Sequence, residues 1–406
     1  MSQGEQHQTP GPEPLFTRNF LLGISVNMFT ATVWFILITT MAVYAAVEFG
    51  SGETAAGFAA SAFVIGALCA RMVAGKYANV LGRKRTLVVC MIIYAGASTG
   101  YFWVDSYESL IALRVLHGAS IGFGQSALNA GVFDLIPSTR RGEGAGYYLV
   151  ANSLPHAIGP LAAIQLSQRF GFDAVFLAAS GVAGIALLAA VIIRLPENRP
   201  KGRIRHHLSL RPGEIIEPQA APIALVMLIS GVAFSGIITF LNGYAQSMGM
   251  VDTASVFFVV YASMVLLSRL TVGRLQDRYG DNAVVYPVLV AFCAALALIA
   301  WAPNAPVVLA AGLLLGFGFG SLLPSVQAII AAKLSPHRTS IGISTSFILM
   351  DVGFAVAPFL LGPLVENFGY RPMYAISAGI ALCGVVVYYW VHGRFDVRQG
   401  RPRGPG

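Results

Sequence analysis

Apolar residues run through this chain in blocks of about twenty, each long enough as a helix to cross the roughly 30 Å hydrocarbon core of a bilayer. Twelve such blocks are expected to be helices: 19–46, 54–78, 86–104, 107–136, 144–168, 173–194, 221–247, 253–276, 283–302, 305–332, 340–364 and 371–393. Residues 195–220, with four prolines and a cluster of bases, separate six blocks from six. The pattern predicts an all-α membrane protein with twelve transmembrane helices in two pseudo-symmetric six-helix bundles, 19–194 and 221–393. A cytoplasmic linker at 195–220 joins them, and polar tails flank them at 1–18 and 394–406. The first tail lacks the basic start and short apolar core of a signal peptide, so it is expected to be a disordered tail before an uncleaved first span.

The two halves echo each other at an offset of 198 residues. RMVAGKYANVLGRKR from Arg71 returns as RLTVGRLQDRYG from Arg269. Gly118 and Gly122 return as Gly316 and Gly320, Gly171 as Gly369, Gly181 as Gly379, and Gly159-Pro160 as Ala357-Pro358. The offset slips to 199 near Pro137 and Pro336, which marks loops of unequal length. So long a period is a duplicated domain rather than a solenoid repeat.

Composition agrees: 56% of residues are hydrophobic, 11% are charged and mean hydropathy is +0.70, which excludes an ordinary soluble domain. A net charge of +8 would point to nucleic acid in a soluble chain, but here the bases have a side. Arg18, Lys76, Arg83, Lys84, Arg85, Arg140, Arg141, Arg194, Arg274, Arg278, Lys333, Arg338 and Arg394 all fall at one end of the spans. The other end carries Arg169 and Arg371 among the acids Glu48, Glu53, Asp105, Glu108, Asp173, Asp252 and Glu366. By the positive-inside rule the basic end and both termini are expected to be cytoplasmic, in a multi-pass protein of the cell (inner) membrane. The excess charge then reads as a topological signal and a contact for anionic lipid, with nucleic acid set aside. Cys69, Cys90, Cys293 and Cys383 lie inside spans without a C-x-x-C pair, and His206-His207 sits in the basic linker. No disulfide framework, metal site or cofactor is expected, and the chain is expected to act as a monomer.

The loop after the second span, Gly75-Lys-Tyr-Ala-Asn79-Val-Leu-Gly82-Arg83-Lys-Arg, resembles the cytoplasmic G-x-L-a-D-r-x-G-r-k/r motif of the major facilitator superfamily, with Asn79 at the acidic position. The second copy, Gly273 to Gly280, keeps the acid as Asp277, followed by Arg278. In span 4, Arg114-Val-Leu-His117-Gly118 resembles the family's R-x-x-q-G. In span 5, Gly146, Pro155 and Gly159-Pro160 resemble the antiporter motif G-x8-G-x3-G-P, with Pro155 replacing a glycine. The run from Phe133-Asp134 through Gly159-Pro160, with Asp351 and Gly353, resembles exporters of opine-type metallophores such as staphylopine. The superfamily resemblance covers residues 15–395 and implies two bundles working by alternating access, with the two motif copies latching the halves at the cytoplasmic end.

A charge in hydrocarbon costs about 2.5–3.5 kcal/mol on insertion scales, so the few inside the spans are candidates for function. At about 100° per residue, Arg114, Gln125 and Asn129 return to nearly one face of span 4, a polar stripe expected to face a central cavity with His117 beside it. An arginine snorkelling to the interface and a hydrogen-bonded core histidine are the plainer readings. Asp351 is the carboxylate nearest the middle of a span and the first choice for a coupling proton. A second reading makes it the fixed partner of an arginine such as Arg71 or Arg269, holding the halves together. Asp134 is expected to pair with the Arg140/Arg141 loop as a gate contact.

The resemblance places spans 1, 4, 7 and 10 around the cavity, which nominates Asn27, Thr30, Trp34, His117, Gln125, Asn129, Phe234, Thr239, Asn242, Tyr244, Phe317, Ser325 and Gln327 as substrate contacts. Packing or lipid-facing roles are the alternative for each aromatic. Gly118-Ala-Ser120-Ile-Gly122 fits a hydrolase elbow and Gly316-Phe-Gly318-Phe-Gly320 a nucleotide loop. Each lies inside an apolar helix, where small residues at four-residue spacing serve close packing, so no enzyme is expected. The reading is a secondary active exporter of small amphipathic or metal-chelating molecules coupled to protons. A proton-coupled uptake permease or facilitator shares the fold, and a receptor-like or lipid-handling membrane protein is the reading of another class.

Overall fold

Twelve long helices follow one another in the computed structural model, which describes residues 14–137, 140, 143–144, 147–148, 151, 153–197 and 215–396. The first half holds α1 (Arg18–Phe49), α2 (Glu53–Leu81), α3 (Arg83–Gly100), α4 (Tyr107–Asp134), α5 (Ser153–Phe170) and α6 (Phe172–Ile192). The second holds α7 (Ala221–Ser247), α8 (Val251–Tyr279), α9 (Asp281–Trp301), α10 (Ala305–Lys333), α11 (Pro336–Phe368) and α12 (Tyr370–Tyr388). Ten of them are long and apolar enough to cross a membrane. The other two are α4, whose hydropathy is lowered by Arg114, His117, Gln125 and Asn129, and α5, which carries His156, Gln165 and Arg169. Most of the linker expected at 195–220 lies outside the described residues.

The halves repeat the same packing. In the first, α2 lies on α4, α1 on α5 and α6, and α3 on α4 and α6; in the second, α8 lies on α10, α7 on α11 and α12, and α9 on α10 and α12. Small residues set these contacts, because helices in lipid associate by close packing rather than by the hydrophobic effect. A Cβ on Gly118 or Gly122 of α4 would run into the carbonyl oxygens of Phe63 and Ala67 on α2. One on Gly316 of α10 would run into the Tyr261 carbonyl of α8. The hydrolase-like and nucleotide-loop-like glycines are therefore packing positions.

The turns repeat as well. Gly82 and Gly280 have φ of 95° and 88°, and Gly171 and Gly369 have 82° and 83°. Both pairs stand one offset apart at a reversal where only glycine adopts such angles freely. Trp103 and Trp301, also one offset apart, stand exposed at corresponding helix ends, the place of an interfacial aromatic belt.

Within each half, the first turn of the third helix is tied to the end of the sixth. Glu197 accepts from the backbone N–H groups of Arg83 and Lys84, both at 3.0 Å, and so caps α3, whose N-cap Gly82 has no side chain to do so. The Lys84 ammonium donates to the carbonyls of Ala190, Val191 and Ile193 at 2.5–2.7 Å. In the second half Asp281 pairs with His392 at 3.0 Å, and Asn282 donates to the Gly393 carbonyl at 2.8 Å. The architecture is kept while the charges are exchanged.

Candidate functional site

The halves meet most broadly at two seams, α2 against α11 and α5 against α8, and also where α1 meets α7; the 198-residue offset exchanges one seam for the other. In the first seam the N-cap Gly52 of α2 offers no side chain, and Glu366 of α11 accepts from the Thr54 N–H at 2.8 Å instead. The Tyr370 hydroxyl donates to Glu53 at 2.7 Å, and the rings of Phe58 and Phe359 meet at 5.2 Å. Further along, Arg71 makes an ion pair with Asp351, whose side chain is 11% exposed. In the second seam Gln165 donates to Ser255 at 3.3 Å, and the rings of His156 and Tyr261 lie 6.0 Å apart. These hydrogen bonds, the ion pair and the ring contacts lie between the Arg71–Asp351 level and the acidic end.

A chain of rings crosses the molecule at the second seam. Phe35 of α1 meets His156 of α5 at 4.2 Å, His156 meets Tyr261 of α8, and Tyr261 meets Phe234 of α7 at 5.8 Å. Phe234 then stacks on Phe319 of α10 at 3.7 Å and tilts against Phe354 of α11 at 6.1 Å. Trp34 Nε1, Asn242 Oδ1, Ser321 Oγ, Ser325 Oγ and Gln327 Nε2, on α1, α7 and α10, are buried without a hydrogen-bond partner among the described residues. Each such atom costs about 1–3 kcal/mol in desolvation. Rings with a few unsatisfied polar atoms suit an amphipathic solute.

The polar stripe of α4 divides between two environments. Gln125 donates to Asn27 of α1 at 2.5 Å and to Asn129 at 3.2 Å, and the Tyr148 hydroxyl donates to Asn129 at 2.5 Å. That amide cluster lies toward the basic end. Arg114 does not face a central cavity as expected. It is fully buried against α2, with Nε donating to the Ala59 carbonyl at 3.0 Å, Nη2 to Ala60 at 2.6 Å, and its guanidinium 5.1 Å from the Phe63 ring centroid.

His117 is likewise fully buried and hydrogen-bonded within its own bundle. The Ser98 hydroxyl donates to the Tyr94 carbonyl at 2.9 Å, so Nε2–H of His117 donates to Ser98 at 3.2 Å. Nδ1 then accepts from the Tyr101 hydroxyl at 3.1 Å, which in turn accepts from Arg114 Nη1 at 3.5 Å. Each donor in this chain has one acceptor, and the imidazole is satisfied as a neutral ring.

Other expected contacts move too. Asp134 pairs with Arg83 at 2.5 Å, and Arg140 pairs with Glu143 at 2.8 Å rather than with Asp134, while Arg141 lies outside the described residues. That hydrogen-bonded pairing holds the Glu143 carboxyl below its usual range. Of the loop motif, Arg83 is buried on Asp134, while Asp277 and Arg278 are exposed, with Arg278 5.2 Å from the Tyr279 ring centroid. The side chain of Asn79 and the surroundings of Gly75 lie outside the described residues, and Gly273 has open space at its Cβ. Gly159 lets α5 approach Phe35 closely, with Pro160 next in the helix.

Thr30 is bonded back to its own helix, to Val26 at 2.8 Å, and its carbonyl accepts from Tyr94 at 2.9 Å. Tyr244 donates inward to the Ile299 carbonyl at 3.2 Å, away from the seams. Phe317 lines an outer cavity of about 270 Å³ with Val272, Leu275, Tyr279, Val284 and Pro287, between α8, α9 and α10. Thr239 is buried in α7.

Glu197, Tyr148 and Glu217 make contacts that no motif announced, and Glu366, expected only as one of the acids of the far end, caps α2. Glu217 is 2% exposed, pairs with Arg338 at 2.5 Å and donates its N–H to Thr345 at 2.9 Å. An acid at the edge of a strongly basic stretch was the available signal for both Glu197 and Glu217.

Duplicated bundles, glycine-packed helices and two exchangeable seams define a polytopic membrane transporter rather than an enzyme. The family model of the Major Facilitator Superfamily matches residues 23–281 and 223–404, and the chain belongs to that family. Among curated relatives, the staphylopine export protein of Staphylococcus aureus (strain Mu50 / ATCC 700699) is 22% identical, over 84% of this chain and 86% of that protein. An uncharacterized MFS-type transporter of Burkholderia mallei (strain SAVP1) is 23% identical over 100% of this chain and 99% of its own length. Among solved structures, a bacterial homologue of the human lysosomal transporter Spinster, in an inward-facing and unoccupied conformation, superposes with a TM-score of 0.76 at 12% identity, over 97% and 100% of the two chains. The nucleoside transporter NupG gives 0.71 at 16% identity over 94% and 100%.

Proposed function

We propose that this chain exports small amphipathic or metal-chelating molecules across the cell membrane, coupled to protons, by alternating access. The observation that carries the reading is the Arg71–Asp351 ion pair, the buried charge contact between the halves. Protonating Asp351 would remove the counter-charge of Arg71 and weaken the hold of α2 on α11, which couples a proton to the relative position of the bundles. With the basic end cytoplasmic, the contacts gathered toward the acidic end correspond to a state closed to the outside. The resemblance to a staphylopine exporter supports a chelating substrate, and the ring chain with its unpartnered polar atoms supports an amphipathic one.

The test is Asp351→Asn in proteoliposomes, following proton movement when candidate chelators are added. Substrate-dependent proton flux is expected to fall at least tenfold while the protein stays folded. Unchanged flux would remove Asp351 from coupling. Cellular accumulation of the same compounds, with and without the protein, distinguishes export, which lowers it, from uptake, which raises it.

A further inference from the structure

The offset that carries Arg71 to Arg269 also carries Asp351 to Ser153, so the second seam keeps the cation of the first and lacks its acid. The two seams share more than sequence. Both are antiparallel helix pairs, and both carry ring contacts on the acidic side of this level, Phe58–Phe359 in one and His156–Tyr261 in the other.

The polar atoms left at the acid-free position are unsatisfied. Ser153 is 2% exposed and its Oγ has no hydrogen-bond partner among the described residues; Nε of Arg269 is buried and has none among them either. No carboxylate pairs with Arg269 among the described residues. A guanidinium partly withdrawn from water without a counter-charge is costly, and its planar fork matches a carboxylate in bidentate fashion. The aromatic path through Phe35, His156, Tyr261 and Phe234 runs along the same seam.

We propose that Arg269 and Ser153 form an anion subsite in which a carboxylate of the transported molecule takes the place that Asp351 holds in the first seam. The inference rests on the transport reading and adds to it a substrate class: small amino-carboxylates, whose acid pairs with Arg269 and accepts from Ser153 while the remainder lies against the rings. Bound substrate then bridges the second seam, paired with Arg269 of α8 and hydrogen-bonded to Ser153 of α5, where Asp351 ties α11 to α2 directly in the first.

The experiment uses the full chain in phosphatidylcholine nanodiscs and calorimetric titration with iminodiacetate, its neutral dimethyl ester and inorganic phosphate. A parallel arm adds phosphatidylglycerol to the nanodisc. Iminodiacetate is expected to bind and the ester not. Arg269→Gln should weaken iminodiacetate at least tenfold, with Arg269→Lys between. Ser153→Asp supplies the missing acid in place; it should keep the melting temperature at or above that of the parent while weakening iminodiacetate at least tenfold.

Equal binding by Arg269→Gln, undiminished binding by Ser153→Asp, or no binding of iminodiacetate overturns the proposal. So does an Arg269-dependent signal from phosphate or phosphatidylglycerol alone, which would make this an inorganic-anion or lipid-headgroup site. The titration uses no gradient and leaves Asp351 in place. Its failure leaves proton coupling standing, and a failure of the Asp351→Asn test leaves this subsite standing.

Discussion

Arg71 and Arg114 carry the same charge into the same bundle and are neutralised in different ways. Arg71 crosses to a carboxylate in the other half, whereas Arg114 spends its donors on two carbonyls of α2 and a tyrosine within its own half. Charge-assisted hydrogen bonds of this kind are worth about 1.5–3 kcal/mol each. Arg114→Ala should therefore lower unfolding stability by about 3 kcal/mol or more, read as a fall in melting temperature in detergent, while iminodiacetate affinity of the folded fraction stays within twofold. A tenfold loss of affinity without a stability loss would return Arg114 to the substrate path. The helical period placed Arg114, Gln125 and Asn129 on one face, and they are on one face. Which neighbour that face meets was not legible, because α2 crosses α4 at Gly118 and Gly122 and covers Arg114, while α1 meets the same face at Gln125. The partner of Asp351 was legible only as a choice between two arginines, since the register of α2 against α11 is set by residues far apart in sequence.

At the scale of helices, small residues decide which pairs touch, and this part was visible in the sequence as repeated four-residue glycine spacing. Gly118→Ala would press a methyl group into the Phe63 carbonyl of α2, and backbone cannot swing aside as a side chain can. The expected cost is about 2–3 kcal/mol of stability. Gly181→Ala, in α6, meets nothing within 4 Å and should stay within about 0.5 kcal/mol of the parent in the same melting assay. The latch at the acidic end is another matter, since nothing local predicts that the N-terminus of α2 is capped by Glu366, 312 residues away. A cap of this kind is worth about 1 kcal/mol. Glu366→Ala should raise, by several-fold, the rate at which a cysteine placed at Thr54 reacts with a membrane-impermeant maleimide, as the end of the first seam loosens. An unchanged rate would mean that the cap does not hold the seam.

For the whole molecule, duplication supplies two equivalent seams and divergence makes them do different work. The first has an internal ion pair; in the second the offset gives an arginine, Arg269, and a serine, Ser153, at the matching positions. The twelve helices, their order and their pseudo-symmetry were readable from hydropathy and the 198-residue echo, because lipid imposes both the length of each span and its internal hydrogen bonding. How the halves sit against each other depends on a few cross-seam contacts, and there the sequence named candidates without pairing them. On the transport reading, the Arg71–Asp351 pair biases the arrangement of the halves. Spin labels at Leu81 of α2 and Leu275 of α8, both exposed and near the basic end, with the four native cysteines replaced, measure that arrangement as a distance distribution. Asp351→Asn is predicted to shift the population several-fold toward shorter distances, as the state closed at the acidic end loses its tie. A distribution that superimposes on that of the parent would contradict the claim.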